Sequence, residues 1–401
     1  MQQYLTNQFA GTGGNIKLTP EDFWVEEIPA YIPSGEGEHL YLWIEKRNCS
    51  TLHLVQLLAE QLQLKPADIG FAGLKDKRAT TRQWVSVSAP AEISEDRLSA
   101  LEFDADIKIL AVKRHSNKLR LGHLRGNRFK LNIHAVVPDG LKRTQDILHV
   151  LEHTGVPNLF GAQRYGVRGN NHSIGEAILR ADFDRAAQEI IGTPATISNI
   201  HWQKAAQAFA DGDIDTAVTV MPRHMRDERR LLQALRGGAS SKKAVLSMGK
   251  KMLRLYLSAY QSQIFDRQVR MRLDSLDTLW SGDIACIHAS GACFRVEDPE
   301  TEQARADVFE ISPTGLMPGK KAMLAHGQAG MLETALLEKE AMPVESYSAL
   351  NGLQISAERR PLRVRAEGLA CSMEDDILKL EFSLPAGSYA TSLLREIIKT
   401  Q

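Results

Sequence analysis

Long apolar runs are missing from this 401-residue sequence. None approaches the roughly 18 residues that a membrane-crossing helix needs. The opening MQQYLTNQFAGTGGNIKLTP has neither a basic leader nor an apolar stretch, so no secretory signal is expected and a cytoplasmic location follows. Cysteine is scarce. Cys49, Cys286, Cys293 and Cys371 form no Cys-x-x-Cys pair, so they read as four reduced thiols rather than a disulfide frame or a metal site. An excess of one charge is missing too, with 49 Lys+Arg against 49 Asp+Glu, so net charge alone points to no polyanionic partner. No G-x-x-x-x-G-K-[ST], G-x-S-x-G or H-E-x-x-H occurs, and the GTGG at Gly11 lacks the strand–helix setting of a dinucleotide site.

What is present is an ordinary globular composition, 43% hydrophobic and 24% charged, long enough for about two to three domains. The charges are unevenly placed. Between Asp106 and Asp139 no acidic residue interrupts Lys108, Lys113, Arg114, Lys118, Arg120, Arg125, Arg128 and Lys130. A second basic region runs from Arg223 to Arg254, and a third is Arg359, Arg360, Arg363 and Arg365. Such clusters are either solvated surface or phosphate-binding patches; several in one chain favour nucleic acid.

Periodicity predicts strands at 39–46, 83–88, 107–112 and 129–136, a helix after Ser50 and another over 141–153. Residues 155–275 read as largely helical, with one helix expected over 243–273. Short strands are predicted at 284–287 and 294–297, a helix within 323–341, strands at 362–369 and 377–384, and a serine-capped helix over 388–399. Two strands and a helix at the C-terminal end cannot bury a core alone. They are expected to join the N-terminal sheet, giving a discontinuous domain of residues 1–153 and 345–401 with 154–344 inserted.

Five stretches could carry chemistry. GFAGLKDKRATTRQWVSVS sets one carboxylate, Asp76, among Lys75, Lys77, Arg78 and Arg82, either as a nucleophile or base or as a surface ion pair. PNLFGAQRYG interleaves aromatic, Gly, Gln and Arg residues, as a nucleic-acid loop or a tight structural junction would. GNRF places Asn127 and Phe129 in a basic setting, where an aromatic can stack on a base or simply pack the core. SAYQSQIF has core spacing. FSLPAGSYATSLLRE is a strand–turn–helix unit with Tyr389 at the helix start.

Together, GLKDKRATTRQ, NLFGAQRYG, SAYQSQIF and LPAGSYATSLLRE, with DFWVEE and GNRF, resemble the signature segments of the TruD family of tRNA pseudouridine synthases, in the family's order from about residue 10 to residue 399. The resemblance implies an α+β fold: a mixed, mostly antiparallel sheet with flanking helices, interrupted by an inserted α+β TRUD domain. It implies isomerisation of a tRNA uridine, at position 13 of the D-arm, to pseudouridine. No cofactor, metal or membrane is implied, and tRNA is the partner that the resemblance implies. The family's catalytic Asp maps onto Asp76. Phe23, Asn127, Phe129 and Tyr389 match substrate-contacting residues. Lys75 is a candidate partner of Asp76. Gln163, Arg164 and Tyr165 are expected at a domain junction or along an RNA cleft. The competing reading is a non-catalytic RNA-binding or RNA-folding protein on the same scaffold.

Overall fold

The computed structural model describes residues 3–88, 98, 101, 103, 106–340, 353 and 355–399. Chain contacts separate residues 4–156 and 364–399 from residues 157–363. The expected boundary at 344/345 lies outside the described residues.

The first unit is built on alternating strands, β1 (Phe23–Pro29), β2 (His39–Arg47), β3 (Ile69–Phe71), β4 (Thr80–Ser88), β5 (Ile107–His115), β6 (Leu124–Ile133), β7 (Glu367–Glu374) and β8 (Ile377–Pro385). They form one sheet in the order β7-β8-β6-β1-β4-β2-β5, with β3 also on β4. β1 and β4 run parallel; the other pairs are antiparallel. The C-terminal strands thus complete a sheet begun by the N-terminal ones, with β8 paired along β6 from Leu378↔Ile133 to Pro385↔Gly126. Gly126 is needed there, because a Cβ would sit 2.2 Å from the Leu384 carbonyl oxygen.

Helix α1 (Thr51–Leu62) starts where the Ser50 hydroxyl accepts from the His53 N–H at 3.2 Å. Its leucines pack with Leu40, Leu42, Ile44, Val85 and Val87. Helix α2 (Gly140–Thr154) and helix α3 (Ala390–Ile398) follow the amphipathic pattern. Ser388 does not cap α3; Tyr389 occupies the N-cap position without a side-chain capping bond. The N-terminal segment is clasped to α3: the buried Glu396 carboxylate accepts from Leu5 N, Thr6 N and Thr6 Oγ1, and Thr12 N and Gly13 N donate to the Ile397 and Ile398 carbonyls.

The second unit is helical from Asn171 to Met271, as expected, but residues 243–273 are not one helix. Ser241–Leu246 ends, the chain turns at Gly249 (φ 94°), and Lys250–Met271 begins. Helices Phe183–Ile191 and Pro299–Asp307 were not predicted. A four-stranded sheet follows in the spatial order 358–361, 311–317, 284–287, 293–295. Its wholly buried strand Ile311–Met317 (ISPTGLM) escapes period-two reading because both faces are covered. Expected strand 362–369 is displaced to β7. Among the described residues, no helix is long and apolar enough to cross a membrane.

Helix Asn171–Leu179 and helix Lys250–Met271 approach through Gly175, where a Cβ would lie 2.1 Å from the Tyr256 carbonyl oxygen. Backbone cannot retreat as a flexible side chain can, so Gly175→Ala is expected to destabilise this unit by about 1–3 kcal/mol, read as a lower urea midpoint.

Candidate active site

One face of the sheet is fixed by register. Val25, Thr81 and Lys46 stand side by side across β1, β4 and β2. Val25, Phe129 and Phe382 do so across β1, β6 and β8. Side chains alternate along a strand, so Phe23, Glu27, Gln83 and Asn127 share that face. It is apolar at both sides and polar in the middle, around Glu27, Lys46, Thr81 and Gln83.

Over this polar island lies the β3–β4 loop, held at four points. Thr51 Oγ1 accepts from Lys75 N at 2.9 Å and donates to Gln83 Oε1 at 2.8 Å. Gln83 Nε2 donates to the Gly73 carbonyl at 3.4 Å. The fully buried Lys46 ammonium donates to the Cys49 carbonyl and, at 3.4 Å, to the Asp76 carbonyl. Lys75 turns inward, its Nζ 2.8 Å from Glu27 Oε2, with side chains only 4% and 0% exposed. Burial pushes the Glu27 carboxyl up, against the pull of the Lys75 ammonium. Burial brings Lys46 down to about 8; Cys49 and Asp76 act the other way.

The Asp76 side chain diverges from that of Lys75. Its Oδ2 accepts from Lys17 Nζ at 2.8 Å, and its side chain stays 31% exposed. Lys17 is thus an ammonium partner of Asp76, while Lys75, expected in that role, pairs with Glu27. Lys17 Nζ also lies 3.8 Å from the Phe23 ring centroid. Phe23 meets Phe129 edge-on at 6.2 Å, and Phe129 stacks on Phe382 at 5.1 Å. An unbroken chain of contacts runs from the carboxylate through Lys17 and Phe23 to Phe129. Phe23 and Phe129 are largely buried, so these rings form a floor. Asn127 Oδ1 is buried with no hydrogen-bond partner. Phe23 is oriented by its neighbour Asp22, whose carboxylate bonds His134 Nε2 at 2.8 Å, Thr19 N at 2.8 Å and Asn132 Nδ2 at 3.4 Å. Burial raises the Asp22 carboxyl, but these bonds outweigh it and hold it below its ordinary value.

Tyr389 lies half-buried beyond the β8 end that pairs with Gly126, where Ala386 N donates to the Arg125 carbonyl at 2.8 Å. Gln163, Arg164 and Tyr165 belong to the other unit. Gln163 is exposed, Arg164 Nε donates to Ser262 Oγ at 2.9 Å, and Tyr165 OH donates to the buried Asp266 at 2.6 Å. Phe160 N donates to the same carboxylate at 2.9 Å, so NLFGAQRYG is bound to the SAYQSQIF helix and its next turn. Burial raises both Asp266 and Tyr165.

The basic regions divide in the same way. Lys108, Lys113, Arg120, Arg125, Arg128 and Lys130 are exposed, as are most basic residues of 223–254. Arg359 and Arg363 are interior, and Arg360 is half-buried over the Phe160 ring. Among the described residues, the one group that could present three metal-type ligands together is His149, Glu152 and His153, exposed on α2 and no part of the Asp76 surroundings.

The sequence matches the family described as tRNA pseudouridine synthase D (TruD) over residues 1–397. It is 50% identical over 400 residues to a tRNA pseudouridine synthase D of Syntrophotalea carbinolica, covering 100% of both chains. It is 46% identical to one of Geobacter metallireducens, over 99% of this chain and 98% of that one. A crystal structure of a putative tRNA pseudouridine synthase D from Methanosarcina mazei superposes with a TM-score of 0.84 at 26% identity, covering 100% of this chain and 97% of that one. The chain belongs to the TruD family.

The family's function is isomerisation of uridine in tRNA. In this TruD chain the polar island is a structural commitment as well as a chemical setting. Removing one partner of a buried ion pair leaves the other charge stranded. Glu27→Ala is expected to destabilise the protein by about 3–5 kcal/mol in urea unfolding. Asp22 behaves oppositely with pH. Its depressed carboxyl contributes stability that is present above the ordinary carboxylate pKa and lost as pH falls through the folded-state value. Asp22→Asn is expected to flatten the acid limb of the stability–pH curve, followed by thermal unfolding from pH 7 downward.

Proposed function

We propose that Asp76 is the catalytic group of tRNA uridine isomerisation, that residues 4–156 and 364–399 form the catalytic domain, and that 157–363 is the inserted TRUD domain. The substrate is the D-arm uridine at position 13. The observation that carries this reading is the divergence of Lys75 and Asp76. Lys75 is turned inward onto Glu27, while the next side chain, the Asp76 carboxylate, keeps an exposed edge beside the Lys17 ammonium.

The target nucleotide is extruded from the RNA stack at a cost of a few kcal/mol. Its base seats against the aromatic floor of Phe23 and Phe129, with Tyr389 at the rim. Asn127 Oδ1, an acceptor lacking a donor, suits an N–H of uracil. The C1′–N1 bond breaks, the base turns, and C5 bonds to C1′; a proton leaves C5 and one is gained at N1. Asp76 either attacks C1′ or takes the 2′ proton. Both roles use the same carboxylate position, and Lys17 supplies its counter-charge in either. Redox balance is unchanged throughout.

Asp76→Asn is expected to lower turnover by roughly 10⁴-fold or more, measured as tritium release from C5-labelled uridine in tRNA, with RNA affinity retained. Normal turnover in that variant would remove Asp76 from the mechanism. Retained RNA remodelling by it would instead favour the non-catalytic RNA-folding reading as a second role. Lys17→Met is expected to reduce kcat by about 10²-fold with little change in RNA affinity.

A further inference from the structure

The reaction above uses no thiol, yet two of the four cysteines face each other. Cys286 and Cys293 are register partners in the antiparallel strands Ile284–Ile287 and Cys293–Arg295. Flanking backbone bonds identify the kind of pair. Ile287 N donates to the Ala292 carbonyl at 2.9 Å, and Val296 N to the Asp283 carbonyl at 2.8 Å. Hydrogen-bonded and non-hydrogen-bonded pairs alternate along such a ladder. Pairs 283/296 and 287/292 are of the first kind, so 286/293 is of the second. In that kind the Cα atoms are about 4.5 Å apart and the side chains are closest. That separation lies within the ~4.4–6.8 Å window over which two cysteines can be bridged.

The two thiols also feel one another: burial, with the Cys293 thiol beside it, pushes Cys286 up to about 11. Cys286 is buried and Cys293 is half-exposed, so a reagent meets Cys293 first. Behind them stands Arg359, whose side chain is 5% exposed. Its Nη1 bonds Glu333, while its Nε and Nη2 have no hydrogen-bond partner. Cys293 is among the groups within electrostatic reach of this guanidinium. The remaining cysteines lack this arrangement. Cys371 stands opposite Leu380, and Cys49 immediately precedes the α1 N-cap.

We propose that Cys286 and Cys293 form a vicinal dithiol site for trivalent arsenicals, ligands that require two sulfurs at once. With an organoarsenic(III) oxide, two As–S bonds form while two S–H bonds and the As–O linkage break. Oxygen leaves with both protons as water, and nothing is oxidised or reduced. The site lies in the strands of residues 284–295 and does not depend on the role of Asp76.

Native full-length protein is treated with phenylarsine oxide, then denatured and alkylated with N-ethylmaleimide. Both cysteines lie in the tryptic segment 273–295, so one mass reports on them together. The expected result is protection of Cys286 and Cys293 with Cys49 and Cys371 alkylated. Protection is reversed by 2,3-dimercaptopropanol and persists in an excess of 2-mercaptoethanol. Cys286→Ser and Cys293→Ser are each expected to abolish protection of the remaining partner. Alkylation of both thiols in arsenical-treated wild-type protein would overturn the proposal. So would release by the monothiol, or protection of Cys293 surviving in Cys286→Ser.

Discussion

Glu27 and Lys75 hold opposite charges 2.8 Å apart within a sheet face whose flanks are leucine, isoleucine and phenylalanine. Removing two ions from water costs several kcal/mol each, which only close pairing and further hydrogen bonds offset. Trp84 N donates such a bond to Glu27 Oε1 at 3.3 Å, and the Lys75 main chain is fixed by its backbone N–H donating to Thr51 Oγ1. Once Lys75 is committed inward, the loop at that point has one orientation, and its next side chain must leave toward solvent. The exposed carboxylate edge of Asp76 is thus a consequence of a buried pair one residue away. Lys46 acts on the same loop from beneath. It fastens the main chain of Asp76 and leaves the carboxylate to Lys17.

Much of the architecture was legible because strand and helix periods are carried by whole stripes of side chains. Leu40, Leu42 and Ile44 mark the inward face of β2, and the leucines of α1 mark its seam. Helix Phe183–Ile191 was missed although it carries such a stripe, burying Phe183, Ala186, Ala187, Ile190 and Ile191; two other misses have a physical cause. Ile311–Met317 is covered on both faces, and the Lys243–Leu273 run conceals a break because a glycine at φ 94° is invisible to hydrophobic periodicity. At the site, Asp76, Phe23 and Phe129 were identified through motif resemblance, and the geometry brings them into one chain of contacts. Glu27 and Lys46 carried a signal that composition does not weigh: each is a charged residue in phase with an apolar stripe, and a buried charge requires a partner. Lys17 carried none. It meets Asp76 from 59 positions away, through a backbone turn at φ 60°.

Arginine clusters in the sequence turn out to serve two unlike purposes. Those on β5 and β6 and along 223–254 mostly face outward, where phosphate neutralisation is available. Arg359, Arg360 and Arg363 instead satisfy Glu333, Asn158 and the Ala306 carbonyl inside their own unit. Arg229, in the middle of an outward-facing run, turns back to the Val218 and Met221 carbonyls. Linear charge density alone does not separate these cases, because the decisive variable is whether an acceptor waits within reach of the guanidinium.

The clasp between residues 5–13 and α3 sets the order in which the molecule can be made. Strands β1 to β6 leave the ribosome early, but β6 keeps an open edge until β8 arrives, and Thr6 has no carboxylate to bind until Glu396 is synthesised. Domains generally fold as units during synthesis. The contiguous stretch 157–363 meets that condition first, although it is encoded in the middle. The sheet bearing Asp76 therefore closes last, and chaperone protection of its exposed β6 edge is most needed while the interrupting segment is being translated.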